Sequence, residues 1–201
     1  MMLIMYSARS RRKTPQSRKE ASHERILEAA ARAIRRSGYD GAGVATIMKE
    51  AGLTHGGFYA HFDSREAMLA EAADRAGAES VSALEQFAAS APPKEAFRTL
   101  VKTYLSGAHV ERTETGCPVA ALGSEMPRQA PEVRRAATRR IKEMIDLVGR
   151  HSPDWGEPGC HERVLVTTAT MVGALVLARA VDDPKLSSSM LESALKSLTG
   201  G

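Results

Sequence analysis

The stretch Val44-Ala45-Thr46-Ile47-Met48-Lys49-Glu50-Ala51-Gly52-Leu53-Thr54-His55-Gly56-Gly57-Phe58-Tyr59-Ala60-His61-Phe62 decides the fold. Val44, Ile47 and Ala51 recur at helical spacing, so this segment predicts a short helix. Gly52 allows a tight turn. Thr54 is placed to cap another short helix through about Ala60. Val44, Ile47, Ala51, Leu53, Phe58 and Phe62 supply the apolar contacts that two such helices need where they meet. Residues 43–62 therefore read as a helix-turn-helix. The second helix of such a unit can lie in a DNA major groove with its amino-terminal residues at base edges.

Working outward, Ser22 is a candidate N-cap, and Ile26, Ala29, Ala30, Ala33 and Ile34 then keep helical spacing until Gly38. Asp63-Ser64 breaks the pattern and caps a long helix to about Ala88, with Arg65 and Glu66 in its first turn. Ala91-Pro92-Pro93 marks a boundary. Further helices fit Lys94–Ser106, Gly116-Cys117-Pro118 to about Met126-Pro127, Pro131 to about Arg150, Glu162–Ala180 and Leu186–Leu198. No segment alternates convincingly as a strand does, so the expected fold is all-α, with about nine helices.

Apolar residues at 43% and charged residues at 26% suit a globular chain, and aromatics at only 4% favour helices over sheets. The net charge is +4, and its excess lies in residues 1–20, where Arg9, Arg11, Arg12, Lys13, Arg18 and Lys19 face Glu20 alone. Residues 1–19 read as a flexible basic arm, suited to a polyanion or simply solvated. The apolar start at Met1–Tyr6 precedes its basic residues, the reverse of a secretory signal. Arg163 and Arg179 bracket the apolar run Val164–Ala178, which is short for a membrane span. Cys117 and Cys160 make neither a disulfide framework nor a zinc site. No metal or cofactor is expected, and the location expected is cytoplasmic. No nucleophile elbow, metal spacing or phosphate loop occurs, so an enzyme is not expected.

Ala51 to Phe62, followed by Ser64-Arg65-Glu66 and preceded by Ile26-Leu27-Glu28-Ala29-Ala30 and Gly38-Tyr39, closely resembles the signature of the tetracycline-repressor (TetR) family. The resemblance is strong over about residues 20–70 and extends beyond them only as helical layout. It implies a DNA-binding domain over residues 20–80 and a carboxy-terminal dimerisation and ligand-binding domain over 81–201. Thr54, His55, Gly56 and Gly57 would start the recognition helix. Tyr59, His61 and Arg65 would contact phosphates, and Thr46 would reach phosphate or base. Phe58 and Phe62 would be core. Gly43 departs from the usual Ser or Thr cap, and Gly56 and Gly57 offer no side chains for base readout. Thr54 and His55 are then the leading base readers, with Arg18 and Lys19 adding phosphate or minor-groove contacts.

The resemblance further implies a homodimer, an inverted-repeat operator in double-stranded DNA and a small-molecule inducer. Glu162–Ala180 is too apolar to lie exposed on a monomer, unless it is simply central to its own domain. Ala169, Gly173, Ala174 and Ala178, with Leu191 and Leu195 on the last helix, are the candidate dimer residues. Tyr104, Cys117, Met126, Met144, Trp155, Thr167 and Met171 are the candidate ligand residues, each also readable as core. Cys117 is either a redox or electrophile sensor or a small buried apolar residue. A relatively non-specific architectural DNA binder is the other alternative.

Overall fold

The computed structural model describes residues 15–200. Among them are nine α-helices and three short 3-10 helices, with no strand. Helix α1 (Pro15–Gly41) starts earlier than the expected cap at Ser22 and is broken at Gly38 (φ 75°, ψ 173°). Arg18 and Lys19, expected in the arm, therefore sit on its first turns. Arg9, Arg11, Arg12 and Lys13 lie outside the described residues. Proline at an amino-terminal turn sacrifices no intrahelical bond, which lets the helix reach back to Pro15.

Helix α2 (Val44–Glu50) is followed by the 3-10 helix His55–Ala60, then by α3 (Arg65–Ala89). Ser64 caps α3 as expected, its Oγ accepting the Ala67 amide at 3.0 Å. After a 3-10 turn at Pro93–Glu95 come α4 (Ala96–Tyr104) and α5 (Gly107–Glu111), the latter not anticipated. The helix expected up to Met126-Pro127 is split into α6 (Pro118–Leu122) and a 3-10 turn at Met126–Arg128. Then come α7 (Pro131–His151), α8 (Cys160–Ala180) and α9 (Pro184–Thr199). Asp183 Oδ1 accepts the Lys185 and Leu186 amides at 2.9 and 3.2 Å, so α9 starts at Pro184, where the sequence reading placed a connection.

Two buried clusters share α3. The first joins Ile26, Ala30 and Ile34 of α1 to Ile47, Met48, Phe58 and Phe62 and to Met68–Ala76 on α3. It continues into Leu122, Val133 and Ala136 of α6 and α7. The second holds Leu84 and Ala88 of α3 with Leu100, Tyr104, Leu147, Met171 and Leu175. α3 passes from one core to the other between Ala76 and Leu84 and packs most extensively on α7. Gly77 permits that approach, since a Cβ there would stand 2.5 Å from Arg140 Cβ. Asp74 binds Arg139 and Arg140 of α7, the latter at 2.5 Å, across the same seam.

Helix α8 includes the bracketing arginines and is by length and composition apolar enough to cross a bilayer; here it packs on α7 and α9. Its outer flank is bare, with Val166 63% and Leu177 54% exposed. Ala169 is also exposed, and nothing lies within 4 Å of a Cβ built at Gly173. Ala178 and Leu191 correct the expected dimer set: both are buried in the protomer's own core, as the 3.6-residue period turns them inward. Ala174 and Leu195 are half-buried against that core.

Candidate nucleic-acid interface

The turn between α2 and the 3-10 helix is closed by backbone bonds from Gly52 N to Lys49 O (3.0 Å) and Leu53 N to Met48 O (2.9 Å). Gly52 sits at φ +70°, a conformation costly for residues with a Cβ. Ile47, Met48, Ala51, Phe58 and Phe62 are buried, and Val44 and Leu53 pack against them. These apolar contacts fix where the second helix points.

That helix is 3-10 throughout rather than α, in keeping with two consecutive glycines of poor helix propensity. Its first bond runs from Gly57 N to Thr54 O at 3.0 Å. The Thr54 side chain makes no cap bond, against expectation, because the Gly57 amide is already satisfied by the Thr54 carbonyl. Gly43 likewise caps α2 through its carbonyl alone, accepting from Ile47 N at 3.0 Å. Thr46, Thr54, His55 and Gly56 are exposed, Gly57 is half-buried, and Tyr59 stands 74% exposed with Phe58 edge-on behind it. The structure thus brings Thr46, Thr54, His55 and Tyr59 to solvent around one turn.

His61 is half-buried, and its Nδ1 has no partner. Burial, with the nearby charges of His23 and Lys19, pushes its pKa down from the ordinary histidine value. The His23 and His61 rings lie 5.9 Å apart, which places α1 beside the reading unit. His23 was not anticipated. Its ring stacks on Phe62 at 4.6 Å, and its Nε2 meets Glu71 at 2.8 Å, tying α1 to α3 over the motif. Arg25 was also missed: its guanidinium lies 3.6 Å from a Cβ built at Gly52 and bonds Ser22 Oγ at 3.2 Å. The fold-back of the turn onto α1, which creates both contacts, is invisible to local spacing.

Arg65 is half-buried, and its guanidinium donates to the Tyr39 carbonyl. The Tyr39 amide donates to Glu125 Oε2 at 2.8 Å. At Gly38, φ 75°, a Cβ would stand 2.5 Å from Glu125 Oε1, so only glycine leaves that carboxylate its place. Tyr39 is fully buried, its hydroxyl has no partner, and burial with the nearby Glu125 charge pushes its pKa up to about 12. The residue therefore joins the reading head to α3 on one side and to the segment after α6 on the other.

Of the expected ligand residues, Cys117, Met126 and Met144 line a cavity of about 10 Å³ beside Tyr39, room for one water. Tyr104 and Met171 are fully buried in the second core. Trp155 is 60% exposed and lies against Gly149, and Thr167 is half-buried on α8. Cys117 is 1% exposed, with the Tyr104 hydroxyl beside its thiol. Both cysteines are free, and among the described residues no cluster of His, Cys, Asp or Glu could hold a metal.

A helix-turn-helix with a bare amino-terminal turn, mounted on an all-helical body, defines a DNA-binding transcriptional regulator, not an enzyme. Residues 26–72 fit the family model described as bacterial regulatory proteins, tetR family. The chain is 30% identical over 173 residues to an uncharacterized HTH-type transcriptional regulator of Mycobacterium tuberculosis strain H37Rv, covering 82% of this chain and 87% of that protein. It is 27% identical over 164 residues to the HTH-type transcriptional regulator LmrA of Bacillus subtilis strain 168, covering 77% and 82%. The fold is shared with the reduced form of NemR from E. coli (TM-score 0.75, 21% identity, 89% of this chain and 95% of that one). It is also shared with a TetR regulator from Chloroflexus aurantiacus J-10-fl (TM-score 0.73, 25% identity, 90% and 94%). This chain belongs to the tetR family of bacterial regulatory proteins.

Proposed function

We propose that the protein is a homodimeric cytoplasmic repressor, released from an inverted-repeat operator by a small-molecule inducer. Residues 20–80 form the reading head and 81–201 the regulatory body. The joint at Tyr39 carries this reading. Its amide is held by Glu125 of the body while Arg65, within the head, braces its carbonyl, so the head cannot turn without changing the Glu125 contact. An inducer that binds one arrangement better than the other then shifts the head's position. The bare flank of α8, with Val166, Ala169, Gly173 and Leu177, supports a two-fold contact with a second copy.

In the reading head, Thr54 and His55 read bases, while Gly56 and Gly57 let the backbone approach the groove. Thr46, Tyr59, His61, Arg18 and Lys19 face phosphates. Arg65 serves chiefly as the brace of Tyr39, with its remaining donors directed to phosphate. The near-complete burial of Cys117 favours a wall residue over a thiol sensor.

The test is footprinting of DNA upstream of the protein's own gene, followed by binding titrations on the protected site and on random DNA. A protected palindrome is expected. Tyr59→Ala lowers affinity for both DNAs, by about ten-fold for one lost charge-assisted bond. His55→Ala changes the ratio between them. No palindrome, with equal affinity for random DNA, replaces this reading with a non-specific architectural binder.

A further inference from the structure

A cleft of about 210 Å³ lies between α3, the end of α4 and α5, outside the set of residues expected to meet ligand. One wall is apolar: Ala83 and Leu84 on α3, Ala108 on α5, and Phe87, whose ring is 46% exposed. The opposite lining is polar in an uneven way. Ser106 is fully used, its Oγ donating to Thr103 O at 2.8 Å and accepting the His109 amide at 3.2 Å. His109 is also used, with Nδ1 donating to Tyr104 O at 2.7 Å and Nε2 accepting the Cys117 amide at 3.0 Å. The hydroxyls of Ser80, Thr103 and Thr115 are not engaged with any described residue. The Arg112 guanidinium makes no hydrogen bond or ion pair with a described residue, though its charge acts on the His109 ring, and Glu114, two residues on, pairs instead with Arg36 at 3.4 Å.

The cleft thus offers one uncompensated cation, three free hydroxyls and an aromatic wall, in a volume below that of drug-sized pockets. From this geometry we infer that the cleft binds a small amphipathic carboxylate, an aromatic or branched-alkyl acid, with its carboxylate on Arg112 and its apolar body against Leu84 and Phe87. A planar guanidinium suits a carboxylate through paired N–H bonds, and a single-ring body fits the space left. Ser80 also lines the small cavity beside Tyr39, so the ligand's wall adjoins the joint that holds the reading head. The inference rests on the ligand-responsive reading above and names the ligand class for it.

The experiment is calorimetric titration of the full-length protein with benzoate, benzamide and benzamidinium, three probes of one shape and different charge. Benzoate is expected to bind one per chain, about ten-fold or more tightly than benzamide, and benzamidinium not at all. Arg112→Gln, an exposed change, should erase the advantage of benzoate over benzamide. Ala83→Trp, which fills the cleft from an exposed position, should abolish binding of both. No binding by any probe, equal binding of benzoate and benzamide, or an unchanged benzoate affinity in Arg112→Gln overturns the assignment. Operator release by benzoate is read separately, by fluorescence anisotropy of labelled DNA. Benzoate binding as described without release upholds the cleft and removes the inducer reading. Release that persists in Arg112→Gln keeps the inducer reading and removes the cleft.

Discussion

The reading head and the carboxy-terminal body differ in where their polar groups stand, although the head too buries two without partners, the Tyr39 hydroxyl and His61 Nδ1. In the head, Thr46, Thr54, His55 and Tyr59 are exposed around a turn whose backbone is already closed. In the body, the Tyr104 hydroxyl, Thr168 Oγ1 and Arg179 Nη1 are buried with no partner. Water satisfies the first set at no cost until DNA replaces it. The second set carries a desolvation penalty in every molecule. The head is a surface finished in advance, held rigid by its core. The body keeps an interior whose polar groups gain from rearrangement, which suits a region expected to change state.

The largest effect that can break this contrast is Phe58→Ala. Phe58 is buried at the centre of the first core, and its removal should cost about 3–5 kcal/mol in urea unfolding. That core runs on into Leu122 and Val133, so the head and the body should melt together in one calorimetric transition. An early separate transition of the head would show that it is a tethered module and that the Tyr39 joint transmits little.

The next effect is smaller and of opposite sign. Tyr104→Phe removes a buried hydroxyl that has no hydrogen-bond partner and lies near the Cys117 thiol, at best a weak partner, and the Arg179 charge. The variant should gain about 1 kcal/mol in unfolding free energy. The equivalent change in the head, Tyr59→Phe, should leave stability unchanged and register only in DNA affinity. A loss of stability in Tyr104→Phe would mean that the hydroxyl is satisfied, and the two regions would then differ less than drawn.

The same contrast explains what the sequence made legible. The helix-turn-helix is a local object: its period, its Gly52 turn and its Ser64 cap all lie within about twenty residues, and local spacing reads them. The reach of α1 back to Pro15 was missed because Ser22 offered a better-looking cap than the proline did. α5 was missed because five residues carry too little periodicity. The Glu125–Tyr39 bond spans 86 positions, and nothing in either neighbourhood announces it. Gly38 was read as a helix stop, which its positive φ satisfies, but its second duty of making room for Glu125 needs the third dimension. Ala178 was assigned to the dimer face because the apolar α8 gives no phase, and Leu191 because the apolar face of α9 suits a partner as well as its own core; packing settles both. Arg112 drew no reading from the sequence, since nothing in its neighbourhood announces the cleft that it lines together with Phe87.

The smallest effect is the pH dependence, which lowers stability through both regions as pH falls but raises operator affinity only through the head. Burial lowers the pKa of both His61 in the head and His109 in the body, with His23 and Lys19 adding to the first and Arg179 and Arg112 to the second. A hydrogen bond to the Tyr104 carbonyl opposes part of the shift at His109. In each case the folded state favours the neutral ring. As pH falls below the ordinary value of 6.5, the unfolded chain takes up protons first, so stability declines until the lowered folded values are passed. Asp74 and Glu79 are held below their ordinary values by arginine partners that outweigh burial, so their contribution is lost only in a more acidic window. Protonating His109 also removes the acceptor for the Cys117 amide, which loosens the α5–α6 link in the body. At His61 the same proton adds positive charge where DNA phosphate is proposed to lie, so operator affinity should rise as stability falls. Urea midpoints and operator titrations between pH 7.5 and 5.5 check this, about one unit on either side of the histidine value. His109→Gln should flatten only the stability curve, and His61→Gln should flatten the affinity curve as well. An operator affinity that does not rise as pH falls would remove His61 from the phosphate-facing set and leave it, like His109, a buried ring serving the fold.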